Sequence, residues 1–238
     1  MNIPQRYATE LRRRLRAQAV WPPTQAIEPG DYGEFDGGIF TRLGNITTDF
    51  GVPYAVESGG HRAEKFQYHG EREQSVGAGV EAAFAGVEAG AQILLASASS
   101  FFVSVAEFDI VRLQSQRTVA VRLHEAPGWR FLKYDVVWEM FQGSDLVFYG
   151  SETGSAAIKL HGSTPDLALF QSAGKIGASL RFATNSAVGV QFRGSPGQVV
   201  GIAVNLFRVK LVGDPLAMSF DDDADPFERI EGYDDGVG

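Results

Sequence analysis

The sequence predicts an α+β fold: a twisted, mostly antiparallel sheet with an amphipathic N-terminal helix and further helices beside it. Three observations carry that expectation. Ile3, Tyr7, Leu11 and Leu15 recur every fourth position, the spacing of one face of a helix. Downstream, aromatic and β-branched runs are separated by Gly, Pro, Asn and Asp, the pattern of strands and turns. The 238 residues, 44% of them hydrophobic, suffice to bury a sizeable core.

Arg6, Arg12, Arg13, Arg14 and Arg16 cluster within this helical stretch and ring the rest of its surface, and Trp21-Pro22-Pro23 stops the helix because proline lacks a backbone donor and pushes its predecessor out of helical space. A basic amphipathic helix of this kind either docks on anionic lipid headgroups or packs on the body with its arginines in solvent. Residues Ile27 to Tyr54 hold turn signals at Pro29-Gly30 and Gly37-Gly38 and read as loops and short strands. The stretch Glu57 to Glu73 gathers His61, His69 and four glutamates in no metal-ligand spacing and reads as a polar connection.

Ser75 to Val105 is the least ordinary segment. Val76, Ala78, Val80, Ala82 and Phe84 alternate with Gly77, Gly79, Glu81, Ala83 and Ala85, which predicts a strand. A turn over Glu88 to Ala91 then leads to a second strand from Gln92 to Val105 that contains Leu94 and Phe101. Side chains this small pack weakly and hold register weakly, so the hairpin is either able to repack or a plain hairpin that another element approaches closely. From Glu107 to Trp129 helix and strand both fit. Tyr134 to Phe141 and Leu146 to Tyr149 read as strands across Gly143-Ser144, followed by a strand over Ala156 to Leu160. Lys175 to Phe192 and Val199 to Val209 read as an antiparallel pair across Gly194 to Gly197.

Charge divides the chain. The formal net charge is −8, and residues from Asp214 onward hold nine acids and one arginine, so the tail carries all of it. The expected organisation is a neutral body, 1–213, and an acidic tail, 214–238, that is either solubilising or interacting. Leu216, Met218, Phe220, Phe227, Ile230 and Tyr233 give the tail apolar groups that could cover a groove on the body.

No cysteine is present, which removes disulfides, thiolate metal sites and cysteine nucleophiles and permits a cytoplasmic address. The first twenty residues carry arginines where a secretory leader needs an apolar stretch, and no run approaches the roughly 18 apolar residues of a spanning helix. Nucleotide-binding loops and nucleophile elbows are missing, and four histidines stand apart, so no enzyme, metal or cofactor is expected. A neutral body without aromatic platforms among the arginines disfavours nucleic acid.

The order of elements, together with Tyr134-Asp135-Val136-Val137-Trp138-Glu139, Pro196-Gly197-Gln198-Val199-Val200 and Leu206-Phe207-Arg208-Val209, resembles the pore-forming domain of gasdermins over roughly Tyr7 to Leu211. The family's strand reads like Tyr-Val-Val-Thr-Glu-Val and its end like Pro-x-Gly-x-x-x-Ala-Phe-Arg-Val. The short tail is most like that of bacterial gasdermins, although their commonly acylated N-terminal cysteine has no counterpart here. The resemblance implies a soluble, cytoplasmic protein held inactive by its tail and cut by a protease. It would then assemble with copies of itself into a β-barrel in the cell inner membrane and permeabilise it, in cell death or anti-phage defence. On that reading Arg6, Arg12, Arg13, Arg14 and Arg16 contact lipid, and segments Ser75 to Val105 and Val147 to Val204 insert. Val76, Val80, Phe84, Leu94 and Phe101 lie in the first inserting hairpin. The alternative is a soluble interaction or scaffold protein whose acidic tail recruits a basic partner.

Overall fold

The structure, a computed structural model, describes residues 2–69, 89–129, 134–177, 180–209 and 227–230. It is α+β and mostly antiparallel, with a large sheet, a small one and few helices. Helix α1 (Ile3–Leu15) forms on the predicted stripe but ends before Trp21, and Gln18–Val20 is strand. Asn2 caps the helix by accepting from the Gln5 backbone while the Gln5 side chain returns to Asn2, and Arg16 ends it in the left-handed region at φ 51°. Each device satisfies groups that a helix end leaves unpaired.

The large sheet is built around β7 (Asp135–Ser151), a 17-residue strand buried along nearly its whole length. One edge of β7 pairs with β6 (Phe101–Leu113) and then β2 (Asp31–Asp36); the other pairs with β11 (Val200–Val209) and then β10 (Val188–Arg193). Strand β11 also meets β1 (Gln18–Val20), which runs parallel to β3 (Ile39–Asn45), and β3 returns antiparallel to β2. Strands β11, β1, β3, β2 and β7 therefore close a ring, filled by Val20, Phe40, Val137, Met140, Val204 and Leu206. Beyond β6 lies β4 (Val56–His69). Helix α2 (Ile46–Phe50) follows β3, and α3 (Gln116–Glu125) lays Val119, Ala120 and Leu123 on Trp129, Trp138 and Phe207.

A separate three-stranded sheet holds β5 (Ala89–Leu95), β8 (Ala156–Gly162) and β9 (Arg181–Thr184). Helix α4 (Thr164–Ala173) covers it, capped by Ser163, started by Pro165 and stopped by Gly174 at φ 71°. The core of this unit is Ile93, Leu95, Ile158, Leu160, Leu167 and Phe170, packed on Phe102, Val147 and Tyr149 of the large sheet. A short strand β12 (Phe227–Ile230) pairs antiparallel with the end of β11.

Several sequence expectations are corrected. Gly143-Ser144 is not a turn, because β7 runs straight through it. A Cβ on Gly143 would stand 2.7 Å from the Ala106 carbonyl and 2.8 Å from the Val105 side chain, so this glycine lets β6 approach where the register shifts, another use of glycine in a strand. Glu57 to His69 is not a polar connection but most of β4, whose charges suit its place at a sheet edge. The strand expected from Gln92 to Val105 breaks over residues 96–100. There Ser100 Oγ accepts from the Ser97 backbone at 3.2 Å and Ser99 adopts φ 63°, a local side-chain turn that competes with the ladder. Its two halves belong to different sheets, and Ala89 to Ala91, expected as a turn, are strand. The undecided stretch resolves as strand through Leu113 and helix from Gln116. Strands β10 and β11 do not form a hairpin; they pair in succession along β7. The strand expected over Ser75 to Phe84 lies outside the described residues.

Tyr7 locks α1 to this frame. It is fully buried, donates to the Ile202 carbonyl at 3.0 Å, and meets Phe101 and Phe148 edge-on at 5.5 and 5.4 Å. Burial pushes its phenol well above the ordinary range. In urea unfolding, Tyr7→Phe is expected to cost about 1 to 3 kcal/mol through the orphaned carbonyl, and Tyr7→Ala about 3 to 5 kcal/mol. Gly143→Ala should cost about 1 to 3 kcal/mol by forcing β6 away.

Candidate functional site

The arginines of α1 are not equivalent. Arg12 is half-buried and its Nη2 donates to Gln18 Oε1 at 3.3 Å, while Arg6 is also half-buried. Arg13 is exposed and grips Glu10 through Nε and Nη2, at 3.1 and 2.7 Å to the same oxygen. Arg14 lies over the Tyr68 ring, 4.8 Å from its centre, a cation–π distance. Arg16 is exposed at the helix end. Of the five, Arg13, Arg14 and Arg16 present charge outward; Arg12 is largely spent on the fold.

The expected hairpin residues fall into different surroundings. Leu94 is 48% exposed on the outer face of β5, between buried Ile93 and Leu95. Phe101, at 1% exposure, is stacked between Tyr68 at 4.7 Å and Phe148 at 5.6 Å beneath α1. The structure does not bring these two together. Val76, Val80 and Phe84 lie outside the described residues, as do Leu216, Met218 and Phe220. Of the expected tail groove contacts, Phe227 and Ile230 stand in β12 opposite Val209 and Leu206.

What does meet are the two segments singled out in the sequence. Strand β5 comes from the first and β8 from the second, and they pair over all seven residues of β5, from Ala89 opposite Gly162 to Leu95 opposite Ala156. At the seam between this small sheet and β4 lies a cavity of about 320 Å³, lined by Lys65, Gln67, Ile93, Leu160, Leu167 and Phe170. The Lys65 ammonium donates across the seam to the Gln171 carbonyl of α4. Lys175 reaches Glu107 at 2.6 Å on the surface, and that contact raises its pKa.

Three buried carboxylates, by contrast, sit in the large sheet. Arg208 clasps Asp135 bidentately at 2.9 Å for both contacts, and burial raises the Asp135 pKa against the opposing pull of that guanidinium. Asn205 donates to Glu139 at 2.6 Å, and Arg112 pairs with the other carboxylate oxygen. Arg42 and Asn45 hold Asp31 at 2.7 and 2.9 Å. Every carboxylate here is occupied by a cation or an amide, so each reads as architecture rather than chemistry. Among the described residues no three His, Cys, Asp or Glu side chains group as a metal site, and no helix is long and apolar enough to cross a membrane.

No protein-family model matches the chain, and no curated protein sequence matches it. Among solved structures, a bacterial gasdermin from Bradyrhizobium tropiciagri aligns with 94% of this chain and 90% of its own, at 11% identity and a TM-score of 0.39.

Sequence reasoning missed Glu10 and Tyr68, which α1 and β4 bring together, and it missed α4. The helix was signalled by Ser163-Thr164-Pro165-Asp166, a cap followed by proline and an acid in the first turn. The burial contrast is open to measurement: Phe101→Ala is expected to cost about 3 to 5 kcal/mol in urea unfolding. Leu94→Ala, on the exposed face, should stay within about 1 kcal/mol.

Proposed function

We propose that this protein is an autoinhibited pore-former: its tail holds it inactive, a protease removes the tail, and the freed body assembles with copies of itself into a β-barrel that permeabilises a membrane. Inactive, it is a cytoplasmic protein; active, it sits in the cell inner membrane. It is not an enzyme, and its partners are lipid, the protease and itself.

The observation that carries this reading is the pairing of β5 with β8. Two segments that resemble the inserting hairpins of gasdermins share one small sheet, and that sheet rests on the large one by apolar packing around a cavity. Apolar packing is non-directional, so such a unit can leave without stranding buried charge. A membrane strand needs about 9 to 11 residues, whereas β5 and β8 have seven each. They would have to lengthen into neighbouring chain, and closure into a barrel would satisfy the new backbone edges in lipid.

Two further features support it. Arg13, Arg14 and Arg16 give α1 an outward basic face suited to anionic headgroups. Strand β12 occupies the β11 edge from Leu206 to Val209, and removing it would expose unpaired backbone there, the kind of edge through which copies associate.

The test uses the full chain with a site-specific protease sequence inserted after Val212, and vesicles of phosphatidylglycerol and phosphatidylcholine loaded with a self-quenched dye. Cleavage is expected to release the dye, and the uncut chain to leave the vesicles sealed. Vesicles that stay sealed after complete cleavage would overturn the proposal. In the cut protein, Arg13→Gln with Arg16→Gln should weaken sedimentation with these vesicles, since each basic residue near an anionic surface contributes about 1 kcal/mol.

A further inference from the structure

Two of the outward-facing arginines of α1 also bear on the end of β4, Arg14 on Tyr68 itself and Arg13 on Glu10 beside it. Glu10 is only 5% exposed, and its carboxylate is met by the Arg13 fork. Beside it Tyr68, 2% exposed, is the penultimate residue of β4. Arg14 covers one side of the Tyr68 ring at 4.8 Å, and Phe101 stacks with it at 4.7 Å. Burial first, and then the charge of Glu10, push the Tyr68 phenol up to about 12, while Arg6 and Arg13 pull the other way. Charges from three successive turns of α1 thus converge on a single residue of β4. Past Tyr68 the chain leads through residues 70–88 to β5.

We infer that Glu10, Arg13, Arg14 and Tyr68 form a latch that couples anionic lipid to β4: when Arg13 and Arg14 turn to headgroup phosphates, they release Glu10 and Tyr68 and free the end of the strand. The competition is geometric. Arg13 spends Nε and Nη2 on one Glu10 oxygen, and a guanidinium whose fork is occupied cannot clasp a phosphate bidentately with the same N–H groups. Once it turns away, Glu10 is a nearly buried carboxylate without its cation, an unfavourable state. Tyr68 simultaneously loses the cation over its ring. The end of β4, from Phe66 opposite Val105 to His69 opposite Phe102, then keeps its ladder with β6 and its apolar and ring contacts but loses the cation over Tyr68. In this way lipid contact, read at α1, would loosen the strand that leads into the first hairpin segment. The purpose given to the latch rests on the pore-forming reading; its mechanics do not.

The test is amide hydrogen exchange in the intact full chain, followed in a peptide spanning residues 65–69 and in a reference peptide from β7. Arg13→Gln with Arg14→Gln should speed exchange at the β4 end about tenfold without any lipid, the expected loss of one partly exposed ion pair and one cation–π contact, and Glu10→Gln alone, which removes only the ion pair, about threefold. The β7 peptide should be unchanged, and Arg16→Gln should change neither. Vesicles containing phosphatidylglycerol should produce the same acceleration in the unaltered chain and none in the double variant; pure phosphatidylcholine should have no effect. Variants that exchange like the unaltered chain, or an unaltered chain indifferent to phosphatidylglycerol, would overturn the latch. If exchange behaves as expected but protease-cut protein never permeabilises vesicles, the latch stands and the pore-forming reading falls. Leakage without the exchange response would sink the latch alone.

Discussion

A strand buried on both faces and both edges must find a partner for every backbone N–H and C=O within the protein, and β7 is 17 residues of that situation. No single neighbour spans it. On one edge β6 runs from Phe101 to Arg112 and β2 takes over at Asp135 and Val136; on the other, β11 covers residues up to Gly143 and β10 those from Val147. The handovers fix the rest of the topology. Because β11 and β2 both end on the first half of β7, the short strands β1 and β3 can close the ring between them. Because β6 and β10 share the second half, the aromatic layer of Phe101, Phe148 and Phe192 assembles where Tyr7 anchors α1.

The two sheets are secured by different forces. Three buried carboxylates with their guanidinium and amide partners, Asp31, Asp135 and Glu139, fasten the large sheet. Breaking such a pair leaves a buried charge and is strongly unfavourable. The small sheet depends on aliphatic and aromatic packing, with Lys65 and Lys175 contacts at its solvent side, and exposed ion pairs contribute little. The small sheet can therefore separate without uncovering a buried charge, whereas the large sheet cannot open at Asp31, Asp135 or Glu139 without doing so. That asymmetry makes the small sheet, rather than the ring, the part suited to rearrangement.

Local signals carried far in the sequence. The fourfold spacing of Ile3, Tyr7, Leu11 and Leu15, with Asn2 before it, specified α1 because a helix is a local object. Ala156 to Leu160 alternated and became β8. Expectations failed where glycine or serine had more than one use. Gly143 looked like a turn, yet its missing Cβ serves a neighbouring strand 37 residues away in sequence, at Ala106. Ser97 to Ser100 looked like strand, yet their hydroxyls close a turn of their own. Pairing was less legible still, since nothing in Ile93 or Ile158 says that they will stand opposite each other on neighbouring strands of the small sheet. For the site, the arginine cluster was plain, but its division into outward and occupied members depended on Gln18, Glu10 and Tyr68, which pattern alone does not place.

The proposed function requires α4 and the small sheet to leave β4 before the membrane is permeabilised. The chain has no cysteine, so Lys65→Cys with Gln171→Cys gives a unique pair across the seam that can be joined by a bismaleimide linker with a reducible centre. The direct measurement is dye release from phosphatidylglycerol vesicles by this protein, linked, then cut after Val212, before and after reduction. The linked protein should still bind the vesicles, leave them sealed, and release the dye once the linker is reduced. Full release while the linker is intact would contradict that requirement.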